Sequence, residues 1–227
     1  MMTEEGLQDS VRRLAEALKP GDYDATLGAI TAAAVDVLPD VEYASITVKH
    51  SDDSIDTVAP TDPLVLDLDS KQYELKEGPC YDAATETAHV ISPDLAADDR
   101  FPAYGPYVVG KGIRAQAGLR LFDAPASQGA LNLYSHRLGA FEDFSTLADL
   151  FAHQAAVAIG YAREIADLND AIRTRTTIGQ AVGIIMERYG LSDERAFAFL
   201  TRLSQHGNIK LRIVAAEIVA DMERQRD

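Results

Sequence analysis

The spacing of apolar residues along this chain changes twice. Over residues 3–19, Leu7, Val11, Leu14 and Leu18 recur at i, i+4, i+7 and i+11, the rhythm of an amphipathic helix. After "PGDY" the rhythm returns in Leu27, Ile30, Ala34 and Leu38, and Pro39 stops it. It then shortens to alternation in "VEYASITV" and "IDTVAPT", and the acidic turn "KHSDDS" between them predicts a hairpin. "PLVLDLDSKQYELK" reads as a helix, "KEGPCYDAATE" as a Gly-Pro loop entering a short helix, and "HVIS" as a short strand. "FPAYGPYVVGKG" predicts a loop with one or two helical turns, and "AQAGLRLF" and "GALNLYS" two strands joined by "DAPASQ". From about Phe141 onward the spacing is helical.

Helices, then a mostly antiparallel sheet, then helices predict an α+β domain over roughly residues 1–160. A second domain is expected over 161–227. No proline interrupts Ser145 to Tyr189, where Phe151, Gln154, Ala158, Tyr161, Ile165, Leu168 and Ile172 step by threes and fours as a heptad seam. An unbroken helix of that length spans roughly 65 Å at ~1.5 Å per residue. One small domain cannot bury its middle, so a second copy of the chain is the expected partner along Tyr161, Ile165, Leu168 and Ile172. The alternative is an ordinary terminal helix followed by a separate bundle helix. "RTRTT", Arg173 to Thr177, is the weak point, a place for a kink or hinge.

Beyond "RYG", Ser192 reads as an N-cap with Asp193 and Glu194 in the first turn. Ala196, Phe199, Leu200 and Leu203 line one face of this helix, Gly207 is expected to end it, and Asn208 to cap the next. Leu211, Val214, Ala215, Ile218 and Met222 form the last stripe. Three such helices make a small bundle. Gly179 and Gly183 interrupt its first helix at roughly 1 kcal/mol each relative to alanine. A strip without side chains suggests close packing, against the other bundle helices or another subunit.

Composition narrows the class. Of 227 residues 47% are hydrophobic, enough to build a core and to exclude global disorder. No stretch approaches the ~20 apolar residues of a membrane span. The charged N-terminus is not a signal peptide, and a lone cysteine excludes a disulfide framework or a multi-cysteine zinc site. These features fit a cytoplasmic protein. Net charge is −15, unevenly spread: residues 1–170 carry 12 Lys and Arg against 29 Asp and Glu, whereas residues 171–227 carry 9 against 7. The acidic part is unsuited to broad nucleic-acid contact; the C-terminal part escapes that objection.

No catalytic constellation is present, neither a phosphate-binding glycine loop nor a nucleophile elbow, so the chain is read as a non-enzyme. Cys80 in "EGPCYD" could sense redox state or attach a ligand, although a buried inert thiol is the commoner case. Tyr81 and Tyr104, with Tyr73 and Tyr107, could line a pocket, but no cofactor or ligand can be named. His89 and His136 lack partners at metal-ligand spacing.

The order of elements, the "EGPC" motif and the closing "F…FA.QAAVAI" helix resemble a GAF domain of actinobacterial regulators. "IGQAVGIIMERYGLSDERAFAFLTRLSQHGNIKLRIVAAEIV" resembles an ANTAR domain, through Gln180, Ala181, Gly183, Met186, Ala196, Leu200, Ser204, Lys210, Leu211, Val214 and Ala215 among others. It departs at Ile213, where many members carry an aspartate, and at Val182, often polar or basic. The resemblance implies a transcription antitermination regulator: a sensor of a small-molecule or redox signal and a dimerising helix. Its output bundle would bind paired RNA hairpins and prevent termination. Within that likeness the RNA-binding candidates are Lys210, Arg212 and Asn208 first, then Arg202, Gln205, His206, Gln180 and Arg175, which offer charge for phosphates and polar groups for loop bases. The rival reading is a protein-interaction module that binds no RNA.

Overall fold

The computed structural model describes residues 22–86, 89–124, 127–142 and 145–224. The helix expected over 3–19 lies outside the described residues. Two compact units divide between Arg163 and Glu164.

The first unit carries α1 (Tyr23–Val37), β1 (Tyr43–His50), β2 (Ile55–Val58), α2 (Pro63–Leu75), α3 (Pro79–Thr85), β3 (His89–Ser92), α4 (Tyr104–Gly110), β4 (Ala115–Ala124) and β5 (Ser127–Ser135). The strands form one sheet in the order β2-β1-β5-β4-β3, with every neighbouring pair antiparallel. Capping residues set where the helices begin. Asp22 accepts from Ala25 N at the head of α1, and Asp62 accepts from Leu64 N before Pro63 at the head of α2.

Alternation gives the sheet two different faces. Ile46 and Val48 of β1, Ala117 and Leu119 of β4, and Leu131 and Leu133 of β5 form a core with Leu27 and Ile30 of α1. Phe151, Ala155, Ala158 and Ile159 of α5 (Ser145–Tyr189) complete it. The opposite face lies under α2, α3 and α4, where Val65, Leu68, Ala83, Tyr104 and Val108 are buried. The backbone of α3 comes close to β4 at Gly118. A Cβ there would overlap the Pro79 carbonyl oxygen and lie 2.8 Å from Ala83 Cβ, so only glycine fits.

Strands β4 and β5 run further than alternation predicts. Asp123 pairs with Gln128 and Ala124 with Ser127, so most of "DAPASQ" belongs to the ladder. Backbone pairing needs no apolar side chain, which is why polar strand ends escape a hydrophobic pattern.

The seam on α5 also differs from expectation in its first half. Phe151 and Ala158 are buried in the sheet core and do not face outward. The exposed apolar stripe is Leu150, Val157, Tyr161, Ile165, Leu168 and Ile172. A straight helix drifts against a strict heptad, so positions seven residues apart slide off one face. Residues 173–177 remain helical, and Thr177 Oγ1 donates to Arg173 O at 3.0 Å. Its hydroxyl finds a partner inside the helix, which is continuous through this stretch.

In the second unit, the end of α5 packs with α6 (Asp193–Gly207) and α7 (Leu211–Arg224) around Ala181, Val182, Ile185, Ala196, Leu200, Val214 and Ala215. Gly207 does not end α6 as a left-handed residue. Asn208 takes that role at φ 49°, and it does not cap α7, which begins three residues later at Leu211. Asparagine tolerates this conformation because its short polar side chain bonds locally. Ser204 Oγ donates to Ile209 O at 2.6 Å and fastens the turn.

The glycine strip packs against neither bundle helix. Gly179 and Gly183 are exposed, and a Cβ on either meets nothing within 4 Å. Gly183→Ala therefore stabilises the bundle by about 1 kcal/mol in urea unfolding of dilute chain. A loss of stability instead would mean that another molecule covers the strip.

Candidate nucleic-acid interface and buried polar chamber

The turn between α6 and α7 collects most of the expected RNA-binding side chains. Arg202, Gln205 and His206 come from the last turns of α6, Asn208 is the left-handed turn residue, and Lys210 and Arg212 flank the start of α7. All six are exposed. Lys210 O accepts from Ile213 N and Val214 N, so its backbone starts the helix while its ammonium stays in solvent. Among the described residues Lys210 and Arg212 make no ion pair or side-chain hydrogen bond. Two unpaired cations thus stand beside the helix-start amides, which lack intrahelical acceptors.

Arg175 and Gln180 are exposed on α5. Neither lines the cleft that α5 makes with α7, whose walls include Arg173 and Thr177 on one side and Arg212 and Arg224 on the other. Sequence reasoning overlooked Arg173 and Arg224. For Arg224 the signal was present: Ile213, Ala216, Glu217, Ala220 and Arg224 recur at i, i+3, i+4, i+7 and i+11 on one helix and so share a face.

The first unit holds a second candidate site, inside it. Asp69 of α2 is wholly buried and accepts from Ser45 Oγ at 2.7 Å, Thr57 Oγ1 at 3.0 Å and Tyr134 OH. The amides of Asn132 and Gln72 lie at 3.3 and 3.4 Å. Strand register brings these groups together, because Ser45 of β1 stands opposite Asn132 of β5. The bonds run one way. Asn132 Nδ2 donates to Thr47 Oγ1 at 2.8 Å, and Tyr73 OH lies 2.7 Å from Thr47 Oγ1 and 2.8 Å from Thr57 Oγ1. Thr57 donates to the carboxylate, so Tyr73 must donate to Thr57 and Thr47 to Tyr73. Every proton points towards Asp69, while Asn132 Oδ1 has no partner.

Among the described residues this carboxylate has many donors and no cation beside it. Burial, the largest influence, raises it to about 6 from an ordinary 3.8, against the pull of the Tyr134, Ser45, Thr57 and Asn132 donors. The folded chain therefore holds the proton more tightly than the unfolded chain. Its contribution to stability is complete below about pH 4 and is lost as pH rises through about 6. Relative to Asp69→Asn, the unmodified chain should lose on the order of 3 kcal/mol between about pH 4 and 7 in urea unfolding. A difference that stays constant with pH would show that Asp69 does not titrate there.

Cys80 adjoins this chamber and is wholly buried; its sulfur accepts from Gln116 Nε2. Burial pushes its thiol far up, the chemistry of an inert sulfhydryl. Tyr104 is buried, with its OH donating to Gln116 Oε1 at 2.9 Å, whereas Tyr81 is only half-buried. The "EGPC" motif is architectural as well. Gly78 at φ 133° and Pro79 start α3, and Glu77 accepts from Ala103 N and Tyr104 N, both at 2.8 Å, at the head of α4. His89 Nδ1 lies 2.8 Å from Asp149, and His136 Nδ1 lies 2.8 Å from Gly112 O. Among the described residues no three His, Cys, Asp or Glu side chains converge on a metal position.

Sequence patterns concealed the chamber. Asp69 occupies an inward position of α2 with Val65, Leu68 and Gln72, and the buried i, i+3, i+4, i+7 set was its signal.

A two-faced antiparallel sheet enclosing a polar chamber, followed by a separate three-helix unit with unpaired cations, defines a two-domain α+β protein. Residues 21–160 match the GAF domain family and residues 166–219 the ANTAR domain family, and the chain belongs to the GAF–ANTAR regulators. GAF domains sense signals, ANTAR domains are RNA-binding antiterminator modules, and both are regulatory and not catalytic domains. No curated protein matches the chain.

Solved structures share the fold at low identity. A bacteriophytochrome, RpBphP3 from R. palustris, is 15% identical with a TM-score of 0.61, covering 88% of this chain and 47% of its own. A free methionine-R-sulfoxide reductase from Neisseria meningitidis, solved with its substrate, is 14% identical with a TM-score of 0.55, covering 73% and 96%. Escherichia coli SdiA is 14% identical with a TM-score of 0.52, covering 94% and 96%. Among the described residues no helix is long and apolar enough to cross a membrane.

Proposed function

We propose that this chain is a cytoplasmic, signal-responsive antiterminator that binds paired hairpins in nascent RNA as a dimer. The observation that carries this reading is the ANTAR match over the three-helix unit, with Lys210 and Arg212 unpaired at the head of α7. The acidic remainder of the chain repels RNA and confines contact to this face. Dimerisation runs along Tyr161, Ile165, Leu168 and Ile172, which are 55%, 41%, 58% and 61% exposed. Two output units then take two hairpins, and linkage raises their joint affinity. The signal is a small molecule, since the Cys80 thiol is too buried to react. It acts by favouring one arrangement of α5 over another.

The test is retention of RNA hairpins from a randomised pool by the full chain, across a salt series. Binding that weakens as salt rises supports the reading. Retention of no hairpin at any salt leaves the protein-interaction reading in its place.

A further inference from the structure

The cleft between α5 and α7 lies wholly within the second unit and measures about 580 Å³. Arg173, Arg212 and Arg224 stand around Ile213 and Ala216, both exposed. Ile213 is 43% exposed, a large apolar side chain among three guanidinium groups. Arg212 is unpaired among the described residues. Arg173 bonds Asp170 at 2.6 Å with both side chains about three-quarters exposed, and Arg224 pairs with Asp221. Exposed pairs of this kind contribute little and exchange readily for a phosphate. Asp170 and Glu217 also line the cleft, so its charge is mixed and a wholly anionic ligand fits poorly.

Apolar side chains bordered by guanidinium groups suit an unpaired nucleotide, whose base is flat and apolar on its faces and whose phosphate is charged. The exposed apolar stripe does not compete for this space. At 100° per residue, Asp170, Arg173, Thr174 and Thr177 lie about 150° around α5 from Tyr161, Leu168 and Ile172. A second copy seated on the stripe leaves the cleft open.

We propose that this cleft seats one unpaired loop nucleotide of the bound RNA, with the base against Ile213 and Ala216 and the adjoining phosphate held by Arg212 with Arg173. This rests on the RNA-binding reading and deepens it, adding a base-reading seat to the phosphate contacts of the α6–α7 turn.

The probe is a hairpin enriched on the full chain from a pool with a randomised loop, with derivatives carrying one abasic nucleotide at each loop position. With the unmodified chain, one abasic position should cost about tenfold in affinity. Ile213→Ala should lose about tenfold on the intact hairpin, and the same abasic position should then cost nothing more. Its salt dependence should be unchanged, because no charge is removed. Arg173→Gln should make the salt slope shallower. Ile213→Met keeps an apolar floor and should restore binding, which separates stacking from misfolding. Unaltered affinity of Ile213→Ala, or a full abasic penalty persisting in it, overturns the seat and leaves the RNA reading standing. A pool from which nothing is retained overturns both.

Discussion

With Ile165→Asp and Leu168→Asp together, the chain should sediment as a monomer, whereas the unmodified chain should sediment as the proposed dimer. Both side chains are exposed and belong to neither unit's core, so each unit should still fold. In the pair they would be covered. Each buried leucine or isoleucine contributes roughly 1.5–3 kcal/mol, and four are removed per dimer, on the order of 6 kcal/mol or more. Aspartates in their place also bring like charges together in a dry seam. RNA affinity falls with the dimer, by about 100-fold, because the second hairpin no longer binds within one complex. Sedimentation velocity checks the first outcome and gel shift the second. A double mutant that remains dimeric removes the stripe as the interface.

The second large effect is on the RNA face. Lys210→Ala with Arg212→Ala should weaken hairpin binding by about 100-fold, two charge-assisted contacts at roughly 1.5–3 kcal/mol each setting the lower bound. The slope of log affinity against log salt should become shallower by roughly 1.5 to 2, one increment per lost phosphate contact. Neither side chain has a partner among the described residues, so the melting temperature should not move. Equal affinity and equal slope in the double mutant would show that the turn does not touch RNA.

Much of this architecture was legible in the residues. Alternation marked β1, β2 and β3, helical spacing marked α1, α2 and the three output helices, and the α6–α7 turn carried its own polar cluster. What failed had identifiable causes. The heptad pattern from Phe151 mixed two faces of α5, because core-facing and outward positions lie only a fraction of a turn apart. Glycine at 207 looked like the helix stop because glycine favours left-handed backbone, yet Asn208 fills that role next door. The chamber around Asp69 stayed hidden because Ser45, Thr47 and Asn132 alternate with apolar residues, a pattern equally suited to a wet sheet face. Sequence gives the alternation and not what covers it. The cleft of α5 and α7 needed tertiary placement of Arg173 beside Arg212, thirty-nine residues away.

Helix α5 supplies Phe151 to Ala158 to one core and Ala181 to Ile185 to the other. Between Arg163 and Thr177 it has no large buried side chain of its own. A lone helix of about that length is only marginally stable in water. Under the proposed pairing, helicity in this stretch is a reporter of self-association. Its backbone amides should exchange with deuterated solvent quickly in the monomer and slowly in the dimer, while those at either end remain protected. A signal that loosens the pair would register first there, as a local softening in mid-helix, before either folded end changes.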